Sequence, residues 1–281
     1  MVAGKRSGAG ADPWARYRFT SIDPAFTLAA IDPAAKPHSS ADKKRDRDRV
    51  DKLALELDVL QNVFFADRRF KLLIVLQGID TSGKDGTLRS LFSRTTPLGV
   101  RTVAWKAPTE IESAHDFLWR IHHEVPARGE IVAFNRSHYE DVLVPVVAGT
   151  IDASETRRRY AQINDFERML AEERTVILKF MLHISKDEQR DRLQARIDDP
   201  AKRWKFQRAD LDVRKQWDEY RRAYERAIGA TSTPWAPWIV VPADSKTHRN
   251  LMVCLAVREA LRSLDLHYPD DDPSIAKLKV K

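Results

Sequence analysis

The segment KLLIVLQGIDTSGKDGTLRSLF, residues 71–92, constrains the fold of this chain more than any other stretch. Its apolar run from Leu72 to Leu76 has the length of a buried parallel strand. Gly78, Gly83 and Lys84 then satisfy the G-x-x-x-x-G-K spacing of a phosphate-binding loop. Glycines let successive backbone N–H groups turn inward around phosphate oxygens. Lys84 adds a point charge at the start of the next helix, where unpaired N–H groups and the macrodipole already favour anions. A glycine turn with a chance lysine is the competing reading, and the strand before and helix after argue against it. The segment predicts an α/β domain with a parallel sheet, and phosphoryl transfer as its chemistry.

One position departs from the usual motif. Lys84 is followed by Asp85 rather than by the Ser or Thr whose hydroxyl ligates Mg²⁺. Metal binding must then come from elsewhere, and Asp80 inside the loop is the candidate, because Mg²⁺ takes one or two carboxylates plus substrate phosphates. A turn-stabilising role for Asp80 is the alternative. Without a metal, however, a carboxylate among phosphates would be repelled by them.

At 281 residues with 43% hydrophobic content, the chain can bury a core as one large domain or two small ones. Its apolar runs are far shorter than a membrane span, and the N-terminal residues carry no signal-peptide pattern, which predicts a cytoplasmic protein. The single cysteine, Cys254, lies in the apolar run LMVCLAV and reads as core packing. A net charge of +7 points to polyanionic partners: nucleic acid, a phospholipid surface or a phosphate-rich small substrate.

Residues 1–41, rich in Pro, Ala and Ser without periodicity, are expected to form a loosely ordered arm. The charged run 42–52 then opens an amphipathic helix through Leu53, Leu57, Leu60 and Phe64. Beyond the loop, apolar runs at 101–105, 130–134, 175–182 and 238–241 alternate with helical patterns at 110–123, 154–173, 186–198, 210–229 and 247–264. That alternation is α/β grammar. Ser185 with Glu188 reads as a capping box after the strand TVILKFMLHI.

Two further clusters carry chemistry. FNRSHYED, residues 134–141, follows a strand and brings Asn135, Arg136, Glu140 and Asp141 to the strand end, where open α/β sheets bind ligands. Asn135 occupies the place where a P-loop enzyme usually has an Asp to hold Mg²⁺. A helix cap is the competing role for Asn-Arg-Ser. RIDDPAKRWKFQRADL, residues 196–211, carries Arg196, Lys202, Arg203, Lys205 and Arg208 with Trp204 and Phe206 between them. Its charge and Pro200 suggest a mobile lid facing phosphate, and stacking on single-stranded nucleic acid is the alternative. His115, His122 and His123 read as packing or surface residues rather than metal ligands, the last two pointing apart on any helix.

GIDTSGKDGT, KAPTEIESAHDFLWRIHHEVPARGEIVAFNRSHYEDVLV and ISKDEQRDRLQARIDDPAKRWKFQRADL together resemble the polyphosphate kinase type 2 family, from about residue 50 to residue 264. The resemblance implies a P-loop kinase-like parallel sheet flanked by helices, with a helical lid, similar to thymidylate-kinase-type folds. The expected organisation is an arm at 1–41, a kinase domain at 42–266 with its lid at about 186–215, and a tail at 267–281. The resemblance also implies transfer of phosphate from polyphosphate to nucleotides with Mg²⁺, or Mn²⁺, as cofactor. In that scheme Asp80 and Asn135 hold the metal, and Asp80, Lys84, Arg136, Arg203 and Lys205 serve catalysis. Gly78, Ser82, Gly83, Asp85, Gly86, Thr87, Lys106, Asn135, Glu140, Arg196 and Arg208 bind substrate. The NRSxYE form, with Asn135 and Glu140, resembles the subgroup acting on both AMP and ADP, whereas DRSxYN members favour diphosphates. Polyphosphate and nucleotides are the partners it implies, rather than nucleic acid or membrane, in a homo-oligomer, a dimer or tetramer. An ATP-dependent small-molecule kinase of the same fold and a non-catalytic polyanion- or nucleic-acid-binding module remain the alternatives, Asp85 being the strongest argument for the second.

Overall fold

A computed structural model of the chain describes residues 12–270, 274–275 and 278–280. Among them run strands β1 (Arg18–Phe19), β2 (Lys71–Gln77), β3 (Val100–Ala104), β4 (Ile131–Asn135), β5 (Thr175–His183) and β6 (Trp238–Pro242). The helices are α1 (Lys43–Asp67), α2 (Lys84–Leu91), α3 (Glu110–Ser113), α4 (Trp119–His122), α5 (Glu140–Val147) and α6 (Ala153–Glu172), followed by α7 (Lys186–Asp198), α8 (Ala209–Lys215), α9 (Trp217–Thr231) and α10 (Lys246–Arg262). The strands form one sheet in the order β1-β6-β5-β2-β4-β3, parallel throughout except for β1. The expected α/β sheet flanked by helices is therefore present.

The continuous apolar runs of β2, β4, β5 and β6 follow from their position, since helices cover both faces of a parallel sheet and leave no solvated side. Leu72, Leu73, Ile74, Val75 and Leu76 are fully buried, as is nearly all of β4, β5 and β6. Cys254 packs in this core on α10, and burial pushes its thiol up to about 12. Register explains how motifs far apart in sequence meet: Leu76 of β2 pairs with Asn135 of β4, so the P-loop and the Asn-Arg-Ser turn leave the sheet side by side.

Several expectations need correction. Residues 12–41 are not a loose arm. Trp14, Tyr17, Leu28 and Ile31 are buried in the core, and β1 pairs antiparallel with β6. Their apolar residues are too sparse for a periodic signal, because this segment is shaped by a partner strand about 220 residues away. Residues 1–11 lie outside the described residues, as do 271–273, 276–277 and 281 of the expected tail. The pattern at 110–123 resolves into two single-turn helices, α3 and α4, and that at 210–229 is split between α8 and α9 at Gln216. The Ser185 cap is one-sided. Ser185 Oγ accepts from Glu188 N at 3.1 Å, but the Glu188 carboxylate turns to Arg192 at 2.7 Å instead of closing the box. His115 stacks on Trp119, His123 meets the same ring edge-on, and His122 packs on Phe166.

Candidate active site

The phosphate-binding loop spans Gly78 to Gly83 at the carboxyl end of the central strand β2. Gly78 and Gly83 have φ values of +151° and +102°, a region L side chains rarely adopt. Space forbids a side chain as well: a Cβ on Gly78 would lie 2.6 Å from Ser82 Oγ, and one on Gly83 would lie 1.9 Å from Arg249 Nη1. Lys84 opens α2 and folds back so that its buried ammonium donates to the Gly78 carbonyl at 2.7 Å. Burial lowers its pKa, while the nearby Asp80 carboxylate favours the charged form.

Two buried arginines hold the loop from below. Arg192 on α7 makes five hydrogen bonds: Nη1 to the Thr81 and Ser82 carbonyls at 2.9 and 3.1 Å, Nη2 to the Ala243 and Asp244 carbonyls at 2.6 and 3.0 Å, and Nε to Glu188 at 2.7 Å. The rigid fork of guanidinium donors suits this task, and an ammonium with three donors could not span it. Arg249 on α10 adds a bond to the Ser82 carbonyl at 3.2 Å and shares Asn250 Oδ1 between Nε and Nη2. Its guanidinium fills the space that side chains at Gly83 and Gly86 would need. Thr87 donates to the Gly83 carbonyl at 3.1 Å, and the phenol of Tyr224 accepts from Gly78 N at 3.2 Å.

The Asn-Arg-Ser turn faces this loop. Arg136 takes a left-handed φ of 65°, unusual for an arginine, and its N–H donates to the Leu76 carbonyl at 3.0 Å. Its guanidinium then reaches Asp80 Oδ1 at 2.8 Å and stands 3.6 Å from Glu140 Oε2. Burial raises the pKa of Glu140, opposed by the charges of Arg136 and Lys84. Asn135 donates its amide to Asp85 Oδ1 at 2.7 Å, and Lys205 of the lid stands 3.5 Å from Asp85 Oδ2. Burial works against them, yet Asn135 and Lys205 hold Asp85 below the usual carboxylate range. The structure thus gathers Gly78, Asp80, Ser82, Gly83, Lys84, Asp85, Gly86, Thr87, Asn135, Arg136, Glu140 and Lys205 into one site.

Other expected contributors stand apart. Arg203 is exposed, and its Nε donates to the Ile197 carbonyl at 2.6 Å. Arg196 lies 3.8 Å from Asp210, within the lid. Arg208, exposed, sits at the N-cap of α8, and Lys106 is exposed beyond β3. For Arg196 and Arg203 the reason is local, since a carboxylate and a carbonyl of the same segment lie within reach.

Beside α5 lies a cavity of about 660 Å³, lined among others by Glu112, Asp116, Arg120, Asp141, Arg159 and Asp165. Arg120 is buried there, donating to the Lys106 carbonyl at 3.0 Å and standing 3.4 Å from Asp141, with its guanidinium over the Trp105 ring. Arg159 donates to the Asp141 carbonyl at 2.8 Å. Sequence reasoning named Asp141 but missed the rest of this lining, as it missed Arg192, Arg249 and Tyr224. Helix α7 alone offers Arg190, Arg192 and Arg196, and nothing in their spacing singles out the one that turns inward. Among the described residues, no cluster of three or more His, Cys, Asp or Glu side chains forms a metal centre, and no helix is long and apolar enough to cross a membrane.

Comparison with known proteins gives concordant matches. The profile described as Polyphosphate kinase 2 matches residues 40–269. The chain is 46% identical over 266 residues to the AMP/ADP-polyphosphate phosphotransferase of Meiothermus ruber, covering 95% of this chain and 99% of that protein. It is 41% identical to the ADP-polyphosphate phosphotransferase of Rhodopseudomonas palustris, covering 79% and 81% respectively. A crystal structure of polyphosphate kinase 2 from Arthrobacter aurescens TC1 superposes with a TM-score of 0.89 at 43% identity, over 94% of this chain and 95% of that one. A match over 95% of the chain extends into its first 41 residues, consistent with their place in the core.

Proposed function

The chain belongs to the polyphosphate kinase 2 family, and from that premise we propose that it transfers the terminal phosphate of inorganic polyphosphate to nucleoside mono- and diphosphates, AMP to ADP and ADP to ATP. The observation that carries this reading is the position of the loop between two flanks of different chemistry.

On the α7–α10 flank, cations outnumber their local partners. Burial and then Arg192, Arg249 and Lys202 lower the pKa of Lys246, with Glu188 opposing. Among the described residues no carboxylate lies within ion-pair distance of Arg249. Burial and Arg192 push Arg249 down to about 9, which leaves it charged at neutral pH. A buried cation without a counter-charge is costly, and an arriving phosphate chain offsets that cost. On the opposite flank, the cavity beside α5 has the volume of a small-molecule site and a lining of carboxylates and arginines suited to the hydroxyl, amine and phosphate groups of a nucleotide. The polymer enters from the first side, the acceptor occupies the second, and the transferred phosphate passes between them at Lys84 and Arg136.

Phosphoryl transfer needs in-line positioning and neutralisation of charge, not a covalent enzyme intermediate. The loop N–H groups and Lys84 hold the transferred phosphate, Arg136 balances charge on its oxygens, Lys205 closes from the lid, and Arg203 joins it by exchanging the Ile197 carbonyl for phosphate oxygen. Because Arg136 engages only Asp80 Oδ1 and Asn135 donates through its amide nitrogen, Asp80 Oδ2 and Asn135 Oδ1 remain as oxygen donors. Two such donors, with phosphates completing the shell, fit Mg²⁺ or Mn²⁺. The ion would supply charge neutralisation on the phosphates when bound. Polyphosphate and ATP have similar anhydrides, so the reaction runs in both directions.

The test is nucleotide chromatography after incubation with polyphosphate, Mg²⁺ and either AMP or ADP, without ATP. Phosphorylated product from both acceptors supports the proposal, with an ADP control lacking polyphosphate to exclude contaminating adenylate kinase. Product from ADP alone removes the dual-acceptor reading. No product from either favours an ATP-dependent kinase or a polyanion-binding module.

A further inference from the structure

Behind the Asn-Arg-Ser turn lies a buried ion pair that the chemistry above does not use. Lys179, in the middle of β5, and Glu167, on α6, are both fully buried, with Lys179 Nζ 2.6 Å from Glu167 Oε2. The ammonium spends its remaining donors on Tyr139 Oη at 2.8 Å and the Thr231 carbonyl at 2.8 Å. The other carboxylate oxygen of Glu167 accepts from Tyr139 Oη at 2.9 Å and meets His138 Nε2 at 3.2 Å. His138 and Tyr139, consecutive and fully buried, are therefore anchored on one carboxylate, and Tyr139 also packs edge-on against Trp238.

The two residues flanking this anchored stretch face the phosphate loop. Ser137, His138 and Tyr139 separate Arg136, in its left-handed conformation, from Glu140, which opens α5. A non-glycine residue with positive φ persists only where its surroundings over-determine it. Stability alone does not account for the pair, since a buried ion pair contributes about as much as, or less than, apolar residues of the same volume. What it adds is direction: three ammonium donors and two carboxylate oxygens are satisfied together by one placement of Tyr139 and His138.

We propose that the Glu167–Lys179 pair is a positioning device for the proposed active site, fixing Arg136 and Glu140 against the phosphate loop through His138 and Tyr139. The assignment rests on the proposed transfer reaction, in which Arg136 contacts the transferred phosphate. Glu167, Lys179 and Tyr139 touch no substrate; they set where the touching groups stand. Misplacing such groups by about 1 Å lowers the rate of the chemical step by up to about 10²-fold.

Steady-state kinetics with polyphosphate, Mg²⁺ and ADP test this on the full chain, together with thermal melts. Tyr139→Phe removes one hydroxyl and leaves the ion pair intact. Glu167→Leu with Lys179→Met removes the pair without stranding a buried charge. The expected result for each is a fold retained by melting, kcat lowered by about tenfold or more, and KM for polyphosphate and ADP within about threefold of wild type. Combining Tyr139→Phe with the double substitution should add little further loss, because all three changes cut one linkage. A folded double variant with kcat within about twofold of wild type overturns the proposal, as does full kcat in Tyr139→Phe should the double variant not fold. Wild-type protein without turnover overturns the transfer reading first and this proposal with it, so the two failures are distinguishable.

Discussion

The two flanks of the central strand differ in how their charges are settled. Beside α7 and α10, Arg192 pairs with Glu188 and Lys202 with Asp199, but Lys246 and Arg249 make no ion pair among the described residues and feel the neighbouring cations. Beside α5, each guanidinium is already partnered: Arg120 with Asp141 and Glu112, Arg159 with Glu155. A surplus of cations suits a polyanion whose length and register vary, because attraction needs no fixed geometry. Paired charges with fixed hydrogen bonds suit a ligand that must be read and oriented. On the proposed reading, the difference separates an electrostatic entry for the donor from a shaped seat for the acceptor, with the loop as the place where they meet.

That contrast can be broken at its centre. Lys84→Ala should lower kcat by about 10²–10³-fold, the loss seen when one preorganised charge-stabilising donor is removed. Turnover near wild type in that variant would deny the loop its role on either flank.

The donor side also depends on how α10 is held. His248 on α10 is almost fully buried, and burial, followed by the charge of His38, lowers its pKa from 6.5 to about 4. A histidine depressed in the folded state contributes stability that is complete above pH 6.5 and is lost as pH falls toward 4. The loss should be on the order of 3 kcal/mol. Thermal melts between pH 7 and pH 4 should show this decline, and His248→Gln should flatten it; an unchanged slope in the variant would assign the acid sensitivity to other groups.

Substitutions on each flank sharpen the contrast with smaller effects. Arg249→Gln should raise KM for polyphosphate by about tenfold, the equivalent of roughly 1.4 kcal/mol, and leave KM for ADP within about twofold. The opposite selectivity is expected for Asp141→Asn, which weakens the hold on Arg120 in the cavity: KM for ADP rises by several-fold, about 1 kcal/mol, with polyphosphate KM unchanged. If both variants shift both constants alike, the division into donor and acceptor flanks fails. The mildest test uses the wild type: raising salt should increase KM for polyphosphate more steeply than KM for ADP, since salt screens the attraction between exposed cations such as Lys246 and a many-charged polymer.

The strands and the loop were legible in the sequence because their signals are local. Leu72 to Leu76 are apolar because both faces of a central parallel strand are covered, and the glycines follow because the loop turns at once. The Asn-Arg-Ser turn was legible for the same reason, standing directly after a buried strand. Trp14 and Tyr17 were not, because their burial depends on β1 reaching β6. Arg203 was expected at the phosphates and instead donates to Ile197, since lid cations with near partners are satisfied within the lid. Lys179 did carry a signal, a charge inside the apolar strand TVILKFMLHI, but its partner Glu167 lies in a helix whose charged residues gave no means of choosing among them.

By itself, then, the sequence determined the strand, loop and helix that bind phosphate, the α/β alternation around them and the motifs of the polyphosphate kinase 2 family, all written in neighbouring residues. Only the tertiary structure decided which arginines stand beneath the loop, which carboxylates line the cavity, and which buried pair holds Arg136 in place. Those outcomes depend on contacts between elements up to 167 residues apart, as between Ser82 and Arg249. A charged side chain carries no mark in the sequence of whether it will face water, a backbone carbonyl or a phosphate; the packing of the other elements around it settles the matter.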